Sequence, residues 1–493
     1  MTDQTYFAES QGFSYERRPV RLQSLCWSEF LARKERAGRA ADFWAPPSAG
    51  RDYPVLLGAG DPLPVDAPGI FALVRPDGPL HFFCVDPDSL ANPPDTAHAA
   101  GAFGIEPDTG SPQTSAINAA LAEISAAGGG TLRLRRGIYD VTTVRLQSGT
   151  TLWLDEGAVL RASAEADDYP LAPAESVYPD LPPSLIPGAR RRVIEADHVE
   201  GAAVRGRGVI DGQGSEIRRR TMAAGRPLIN LVYAVGCRDL VFEGVTLLDS
   251  EFWNTHLILC DDVRFSFVKI INEIPPPAWA ASLGNGAAKW TWNNADGINP
   301  DSSERILVEN CLLHTGDDCL PVKNTGTYKN ILRNVRDVTC RRCVMATPVT
   351  AMKIGTETRG QLIENILFEG NLVVGCGRAI GAELKDGAAA RNVTFRNIRV
   401  RECNRPFDIQ ILRRQDHPQQ SSFSRLESAR IEGLIIDRHA INGEWFTSHV
   451  HGLDHEHPAR GVVITDCSLS GNPLASCGPE NLETNEFVEM RIV

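Results

Sequence analysis

Three aspartates in two short motifs are the residues whose types and spacing favour chemistry in this sequence. Asp296 lies in the segment NADG at 294–297, whereas Asp317 and Asp318 lie in the segment TGDDC at 315–319. Carboxyl groups that lie close together raise one another's pKa, so one can stay protonated while another is ionised. Hydrolysis of a glycosidic bond uses such carboxyl groups, one as the acid for the leaving oxygen and another to activate water. A single Asn-x-Asp would indicate only a turn, but the two motifs together favour catalysis.

The spacing of the motifs indicates the fold that would bring them together. Asp296 and Asp317 are 21 residues apart. A strand-like phrase recurs along the chain, after 23 residues from 238 to 261 and after 27 from 364 to 391, while longer gaps such as 261 to 304 must carry loops. The phrase runs polar, polar, apolar, any, apolar, which is typical of a strand with one buried face. It begins at Arg238, Asp261, Glu304, Glu364, Arg391 and Arg460. Short strands that repeat every 20 to 30 residues or so, without helices between them, predict a stacked all-β solenoid whose neighbouring coils lie about 4.8 Å apart.

The chain also contains segments that do not follow the phrase. Residues 114–127 have helical apolar spacing and end at three glycines, which predicts a helix that caps the N-terminal end of the solenoid. Residues 1–100 are rich in proline and predict a small N-terminal accessory domain, followed by a catalytic solenoid at 101–493. A leucine-rich repeat is the main competing architecture, but its leucine and asparagine frame is missing.

Composition excludes several other classes of protein. A net charge of −12 and the lack of a basic run predict no nucleic-acid partner. The polar N-terminus and the lack of a long apolar stretch predict a cytoplasmic protein without a membrane partner. The 12 cysteines are dispersed, which predicts reduced core thiols. Cys340 and Cys343 form a CxxC pair without a second pair nearby, so no metal site is predicted.

The two motifs resemble those of a known family. Asn294 with Asp296, and the GDDC that contains Asp317 and Asp318, are similar to the NTD and GDDC motifs of the polygalacturonase family, glycoside hydrolase family 28. Segments such as GRGVIDGQG also resemble that family's early coils, and the likeness covers about residues 102–493. It implies a right-handed parallel β-helix of the pectate-lyase type. It further implies an inverting glycosidase without a cofactor, which acts on an oligosaccharide or polysaccharide with Asp317 as general acid and with Asp296 and Asp318 activating water.

Two departures from the family's pattern affect the predicted substrate. Thr350 stands where the family has the histidine of its GHG motif, and Glu383 with Lys385 stands where the family has Arg-Ile-Lys. A carboxylate in place of that arginine would repel a galacturonate carboxylate and would remove a bidentate clamp. The substrate is therefore predicted to be galacturonide-like or a neutral sugar. Lys353 on the neighbouring coil could restore a positive charge, so Asn294, Thr350, Lys353, Glu383 and Lys385 are all predicted to bind substrate.

Four further side chains are predicted to contact sugar. Trp279, Trp290 and Trp292 lie in an insertion just before Asp296, and His256 lies on the strand one coil earlier. Indole rings stack on the C–H faces of sugars, and binding groups concentrate on long loops. The alternatives are that the tryptophans pack the insertion onto the coil and that His256 is a core residue.

Other functions on the same fold stay open. A polysaccharide lyase would need a base and a charge neutraliser such as calcium, which an aspartate cluster could hold. A transglycosylase would use the same carboxyl groups as a hydrolase. A binding solenoid of the tailspike kind is disfavoured by the intact GDDC motif.

Overall fold

The computed structural model describes residues 20–29, 31–32, 55–58, 68–74, 80–170, 191–221, 227–272, 294–329, 331–413, 424–438, 446–476 and 481–493. Most of them lie in short parallel strands that stack coil upon coil into a β-helix. Within the described residues a 14-stranded sheet, here called sheet 1, forms one face of the coil. A 20-stranded sheet forms the other two faces, here called sheets 2 and 3. The predicted all-β parallel solenoid is confirmed.

The strands of sheet 1 follow the recurring phrase of the sequence. In chain order they are His98–Ala99, Gly130–Leu134, Thr150–Leu154, Ala203–Gly206, Arg238–Glu243, Asp261–Ser266, Glu304–Glu309, Val335–Arg341, Leu362–Glu369, Ala389–Arg396, Arg425–Leu426, Ala429–Glu432, Ala459–Thr465 and Val488–Ile492.

The other two faces share several long strands. Sheet 2 contains Gly137–Val141, Ala158–Ala162, Val209–Asp211, Thr246–Leu248, Lys269–Ile271, Leu312–His314, Ile435–Arg438, Ser468–Leu469 and the short antiparallel Asn472–Pro473. Sheet 3 contains Val144–Arg145, Arg191–Asp197, Ile229–Val235, Thr255–Ile258, Ile298–Asp301, Leu320–Asn324, Ser448–His451 and Leu482–Thr484. Val344–Thr358, Leu372–Leu384 and Arg399–Ile411 run through both sheets.

A left-handed residue near the start of the sheet 1 strand explains the polar opening of the phrase. Six coils have such a residue, with a φ of 52° to 58°. In chain order they are Asp239, Asp262, Arg305, Asp337, Asn365 and Asn392. Asn and Asp tolerate this conformation better than apolar residues do. The apolar positions that follow point inward, and aromatic rings stack in register there, with 4.8 Å between the centroids of Phe242 and Phe265. The eleven described cysteines are buried and free of disulfides, as predicted.

One helix covers the N-terminal end of the β-helix, and others lie between strands along the chain. The α-helix Thr114–Ala126 buries Ile117, Leu121 and Ile124 against the first coils, where the sequence predicted a cap at 114–127. The described residues also include the α-helix Gly214–Thr221, helical residues at 27–29 and 31–32, and the 3-10 helices Asp88–Leu90, Ala100–Phe103, Ala166–Asp168 and Leu474–Ser476. None of the described helices has the length and apolar character needed to cross a bilayer.

A separate four-stranded sheet precedes the β-helix. Its strands lie in the order Val20–Cys26, Leu80–Asp86, Gly69–Val74 and Val55–Gly58, and the first pair is parallel. The strand His98–Ala99 already pairs with the β-helix strand Gly130–Leu134. The division expected at residue 100 stays a prediction.

The N-terminal sheet packs on the outer face of sheet 2. Phe82 and Ile70 belong to one apolar cluster with Ile271, Leu312 and Leu372, which lie on different coils.

A buried ionic contact accompanies this packing. The carboxylate of Asp86 accepts hydrogen bonds from Lys269 Nζ at 2.6 Å and from Arg207 Nε at 3.3 Å. Asp86 is wholly buried and Lys269 nearly so. Because a buried charge is stable only when it is paired, the contact fixes how the N-terminal sheet sits on the coils.

Candidate active site

The two acidic motifs lie side by side where sheet 3 begins. Asp296 comes just before the sheet 3 strand of one coil, and Asp317 and Asp318 come just before that of the next coil. The backbone N–H of Gly297 donates to the carbonyl oxygen of Asp318 at 2.9 Å, which joins the two segments. All three aspartates are largely buried, Asp317 being the most exposed at 8%. The fold therefore brings together three carboxyl groups that sequence analysis singled out.

Asn294 bridges two of these carboxyl groups. Its amide nitrogen donates to Asp317 Oδ2 at 2.8 Å and to Asp296 Oδ1 at 3.2 Å. The two acceptor oxygens are thus at most about 6 Å apart, since each lies at hydrogen-bond distance from one nitrogen. The backbone N–H of Asp318 also donates to Asp317 Oδ1, at 2.7 Å. Both of these donors to Asp317 are uncharged.

A buried lysine contacts each of the other two aspartates. Lys323 Nζ lies 2.8 Å from Asp296 Oδ2, and Lys353 Nζ lies 2.8 Å from Asp318 Oδ2. Lys353 is a residue that sequence analysis named, whereas Lys323 was missed. Hydrogen bonds between ionised partners are about twice as strong as neutral ones. Each lysine therefore fixes the orientation of its aspartate.

The carboxyl group of Asp296 is a stronger base than an ordinary aspartate. Burial raises the pKa of Asp296 well above its usual value, and the neighbouring carboxylates of Asp317 and Asp318 raise it further. The ammonium group of Lys323 opposes this shift without cancelling it.

Trp253, which lies two coils before Lys323, supports it. The ammonium nitrogen of Lys323 lies 3.8 Å from the centre of the Trp253 ring, within the range of a cation–π contact. Phe252 stacks on the same indole, with 5.1 Å between centroids. Sequence analysis missed both Trp253 and Lys323. The available signal was a lysine that ends the otherwise apolar run after GDDC, Leu320–Val322.

Glu383 lies among three cations on the coils that follow. Its carboxylate contacts Arg378 Nη1, lies 3.2 Å from Lys385 Nζ and lies 3.9 Å from Lys353 Nζ. Burial works to raise the pKa of Glu383, but the three cations outweigh it and lower that pKa to about 2. The sequence predicted that this carboxylate would repel a uronate, but in the structure it is paired with cations. Arg378, which lies on the same strand as Glu383, was overlooked as its partner.

Comparison with known proteins defines the family. The family model described as glycosyl hydrolases family 28 matches residues 186–483, which is more than half of the chain. The chain belongs to glycosyl hydrolase family 28.

Curated relatives of this family 28 chain are similar over part of their length. A probable polygalacturonase of Vitis vinifera is 28% identical over 54% of this chain and 52% of the relative. An endo-polygalacturonase of Pectobacterium carotovorum is 24% identical over 54% of this chain and 63% of the relative. The chain spans about half the length of the first of these relatives.

Solved structures share the fold of the family 28 chain. An exopolygalacturonase of Yersinia enterocolitica has a TM-score of 0.60 at 18% identity and covers 85% of this chain and 82% of its own. A polygalacturonase of Erwinia carotovora has a TM-score of 0.59 at 18% identity and covers 78% of this chain and 95% of its own. The right-handed parallel β-helix predicted from the motifs is confirmed. The cytoplasmic location stays a prediction.

Thr350 contacts the aspartates of the family 28 site through its backbone. Its N–H donates to Asp318 Oδ1 at 3.2 Å, and Thr350 is fully buried. Its hydroxyl has no hydrogen-bond partner among the described residues. The structure thus places Thr350 beside the carboxyl groups, and its substrate contact stays a prediction.

His256 lies beneath the family 28 site. It is fully buried, its Nε2 lies 2.9 Å from Asp301 Oδ2, and its ring meets that of Trp253 edge to face. This position corresponds to the alternative of a core histidine. Trp279, Trp290 and Trp292 lie outside the described residues, so their contact with sugar stays a prediction.

Proposed function

We propose that this family 28 protein is a glycosidase that hydrolyses galacturonosyl linkages of an acidic polysaccharide of the pectin type, with inversion at the anomeric carbon. The observation that supports this most is the arrangement of three buried aspartates in which Asp296 and Asp318 each contact a lysine. The relatives are named polygalacturonases, which supports the choice of sugar.

In the proposed reaction Asp317 is the general acid. Hydrogen bonds from the Asn294 amide and from the backbone N–H of Asp318 hold its carboxyl group in place. That proton goes to the glycosidic oxygen as the bond from this oxygen to the anomeric carbon breaks. A water held by Asp296 and Asp318 attacks the same carbon from the opposite face and gives up one proton to Asp296.

The proposed stereochemistry bears on the distance between the acid and the base. Inverting enzymes usually keep their acid and base about 6.5 to 9.5 Å apart, and retaining enzymes about 5 to 5.5 Å. The Asp296 and Asp317 oxygens that share Asn294 are closer than the inverting range. Inversion is favoured here because two lysine-bound carboxylates, rather than one, are available to hold the water.

The charges beyond the aspartates support an acidic sugar. Lys353, Arg378 and Lys385 surround the carboxylate of Glu383. Lys353 also contacts Asp318, and Arg378 and Arg405 both contact Asp408, so these four cations face three carboxylates and leave a small excess of positive charge. An arginine and lysines in one cluster suit the carboxylate of a uronate.

Polar side chains continue along sheet 3 for two more coils. Glu383 is in register with Gln410, which is in register with His451. Asp408 and His449 form a parallel row beside them. Successive coils are about 4.8 Å apart, so these rows could contact several sugar units of an extended chain.

The proposal is tested by incubating the purified protein with trigalacturonate and with neutral oligosaccharides of equal length, and following the products by NMR. We expect trigalacturonate to give the higher kcat/KM and the first-formed reducing end to have the inverted configuration. Retention at the anomeric carbon would refute inversion, and a better neutral substrate would refute the galacturonosyl choice. An unsaturated product that absorbs in the ultraviolet would indicate a lyase, and products longer than the substrate would indicate a transglycosylase.

A further inference from the structure

An exposed aromatic ring lies beside sheet 3, several coils beyond the aspartates. Phe446 is 50% exposed, and no other Phe, Tyr or Trp side chain that the structure describes is as exposed. Single exposed apolar residues are common on protein surfaces and need no explanation by themselves. Phe446 differs from such residues because it lies at the end of a row of polar side chains that begins at the aspartates.

The row occupies one position of sheet 3 on successive coils. It begins at Thr350, whose backbone N–H donates to Asp318. Thr350 is in register with Arg378, and Arg378 is in register with Arg405. Because coils are about 4.8 Å apart, Arg405 lies about 10 Å from Thr350 along the axis. The row therefore leads from the aspartates towards the C-terminal coils.

Phe446 takes the next place in this row. The register pairs Asp408 with His449, which follow Arg405 and Phe446 by the same number of residues. The backbone N–H of Phe446 donates to the carbonyl oxygen of Asn404 at 2.8 Å, which holds Phe446 beside the preceding coil. The guanidinium carbon of Arg405 lies 5.7 Å from the centre of the Phe446 ring, within the range of a cation–π contact.

Resting on the proposed function, we propose that Phe446 and Arg405, here called the distal platform, form a subsite that binds one uronosyl unit of the polysaccharide away from the bond that is cleaved. The exposed ring offers an apolar face to the C–H groups of the sugar, and the guanidinium group offers hydrogen bonds to its carboxylate. The ring and the cation lie close enough for one sugar unit to contact both.

The charge of Arg405 is only partly neutralised within the protein. Its Nη1 lies 2.8 Å from Asp408 Oδ2, and Arg378 lies 3.2 Å from the same oxygen. Two guanidinium groups thus share this carboxylate. The side chain of Arg405 is 21% exposed, and a guanidinium group has five N–H donors. Arg405 can therefore contact Asp408 and the carboxylate of a uronate together.

The distal platform should be occupied only by long substrates. Three coil steps put Phe446 about 14 Å from Thr350 along the axis. A sugar unit is similar in length to one coil step, so a short oligosaccharide bound at the aspartates leaves the platform empty. The contribution of the platform should therefore depend on the length of the substrate.

The first test compares hexagalacturonate with trigalacturonate. F446A should lower the ratio of their kcat/KM values by about three- to tenfold, because a sugar that covers the exposed half of the ring removes apolar surface from water. F446Y keeps the ring and should restore most of the wild-type ratio. A ratio in F446A equal to that of the wild type would overturn the inference.

A second test examines the contact between Arg405 and the carboxylate. Salt screens the attraction between an exposed cation and an anion, so the wild-type ratio of hexagalacturonate to trigalacturonate should fall as ionic strength rises. R405M should have a lower ratio at low salt and a weaker dependence on salt, whereas F446A should keep the dependence of the wild type. If R405M responds to salt as the wild type does, the uronate carboxylate does not lie at Arg405 and the inference is wrong.

A matched control removes an exposed apolar side chain elsewhere. Ile435 is 45% exposed and lies on sheet 2, so I435A should leave the kcat/KM values of both substrates unchanged. Thermal denaturation checks that F446A and R405M are folded. A loss in I435A as large as that in F446A would mean that the effect is not specific to the platform, and would overturn the inference.

Failure of the platform is distinguishable from failure of the proposed function. If the wild type cleaves neither substrate, the proposed function fails. Calorimetric titration with hexagalacturonate then measures binding alone. Weaker binding by F446A than by the wild type would support the platform, whereas equal binding by the two proteins, or none by either, would overturn it.

Discussion

The ammonium nitrogen of Lys323 lies 3.8 Å from the centre of the Trp253 ring and 2.8 Å from Asp296 Oδ2. The Trp253 ring, the Lys323 ammonium group and the Asp296 carboxylate thus form a continuous set of contacts across three coils. The indole is 4% exposed, so the cation–π contact is largely free of competing water.

We expect W253L to lower kcat by about tenfold with little change in KM, since a desolvated cation–π contact is worth about 2 kcal/mol and orients Lys323. W253F keeps an aromatic face and should retain most of the activity. Steady-state kinetics on trigalacturonate measure both variants. Equal losses in W253L and W253F would mean that packing, and not the π face, is what matters.

Replacement of the general acid should abolish turnover on a natural linkage. D317N is nearly isosteric but cannot donate a proton to the leaving oxygen, so kcat should fall by about 10² to 10⁴-fold. Circular dichroism and thermal denaturation should show an unchanged fold. Near wild-type activity in a folded D317N protein would remove Asp317 from this role.

The pH profile should reflect the raised pKa of Asp296. A base must be ionised to accept a proton, so activity is lost as pH falls through its pKa. Because burial and the neighbouring carboxylates raise that pKa, the acidic limb of kcat/KM should lie above the usual aspartate range near pH 4. D296N should lose activity at every pH. A wild-type profile that stays flat down to pH 4 would contradict the assignment of Asp296 as base.

Arg378 should determine the preference for an acidic sugar. R378M removes the guanidinium group beside Glu383, and KM for trigalacturonate should rise by roughly ten- to a hundredfold, since hydrogen bonds to charged groups are worth about 1.5 to 3 kcal/mol. R391M is a matched control, because Arg391 pairs with Glu364 on sheet 1, away from the site. If R378M binds trigalacturonate as well as the wild type does, the uronate contact lies elsewhere.

The buried pair beneath the N-terminal sheet should matter for stability. D86N leaves the ammonium group of Lys269 without its carboxylate partner, and breaking a buried pair typically costs about 3 to 5 kcal/mol. D262N breaks an exposed pair with Arg305, both side chains being 46% exposed, and should cost less than about 1 kcal/mol. Denaturant titration compares the two, and equal losses would contradict the importance of burial.

The fold could be predicted from the sequence because the residues that specify each strand are neighbours in the chain and recur from coil to coil. The opening of the phrase at Arg238 or Asp261 corresponds to a left-handed residue that six coils repeat at the same corner. The coil at Val335–Arg341 was missed, although Asp337 occupies the same left-handed position there.

The site was predicted only in part, since its remaining contacts join distant residues. Asp296, Asp317 and Asp318 stand in motifs, and their spacing matches one coil. Lys323 has no motif of its own, and only the register of sheet 3 brings it to Asp296. The partnership of Arg378 with Glu383 depends on side-chain directions along one long strand, which a comparison of motifs does not contain.

The N-terminal sheet changes how the solenoid should open. A stack in which each coil contacts only its neighbours tends to fray from its ends, one repeat at a time. Ile271 and Leu372 belong to coils that are three steps apart, yet the N-terminal sheet packs on both of them. The sheet therefore holds these coils together. The strand Leu320–Asn324, next to Asp317 and Asp318, lies in one of the coils that the N-terminal sheet holds together. Its backbone amides should therefore exchange their hydrogens with solvent later than those of the terminal coils.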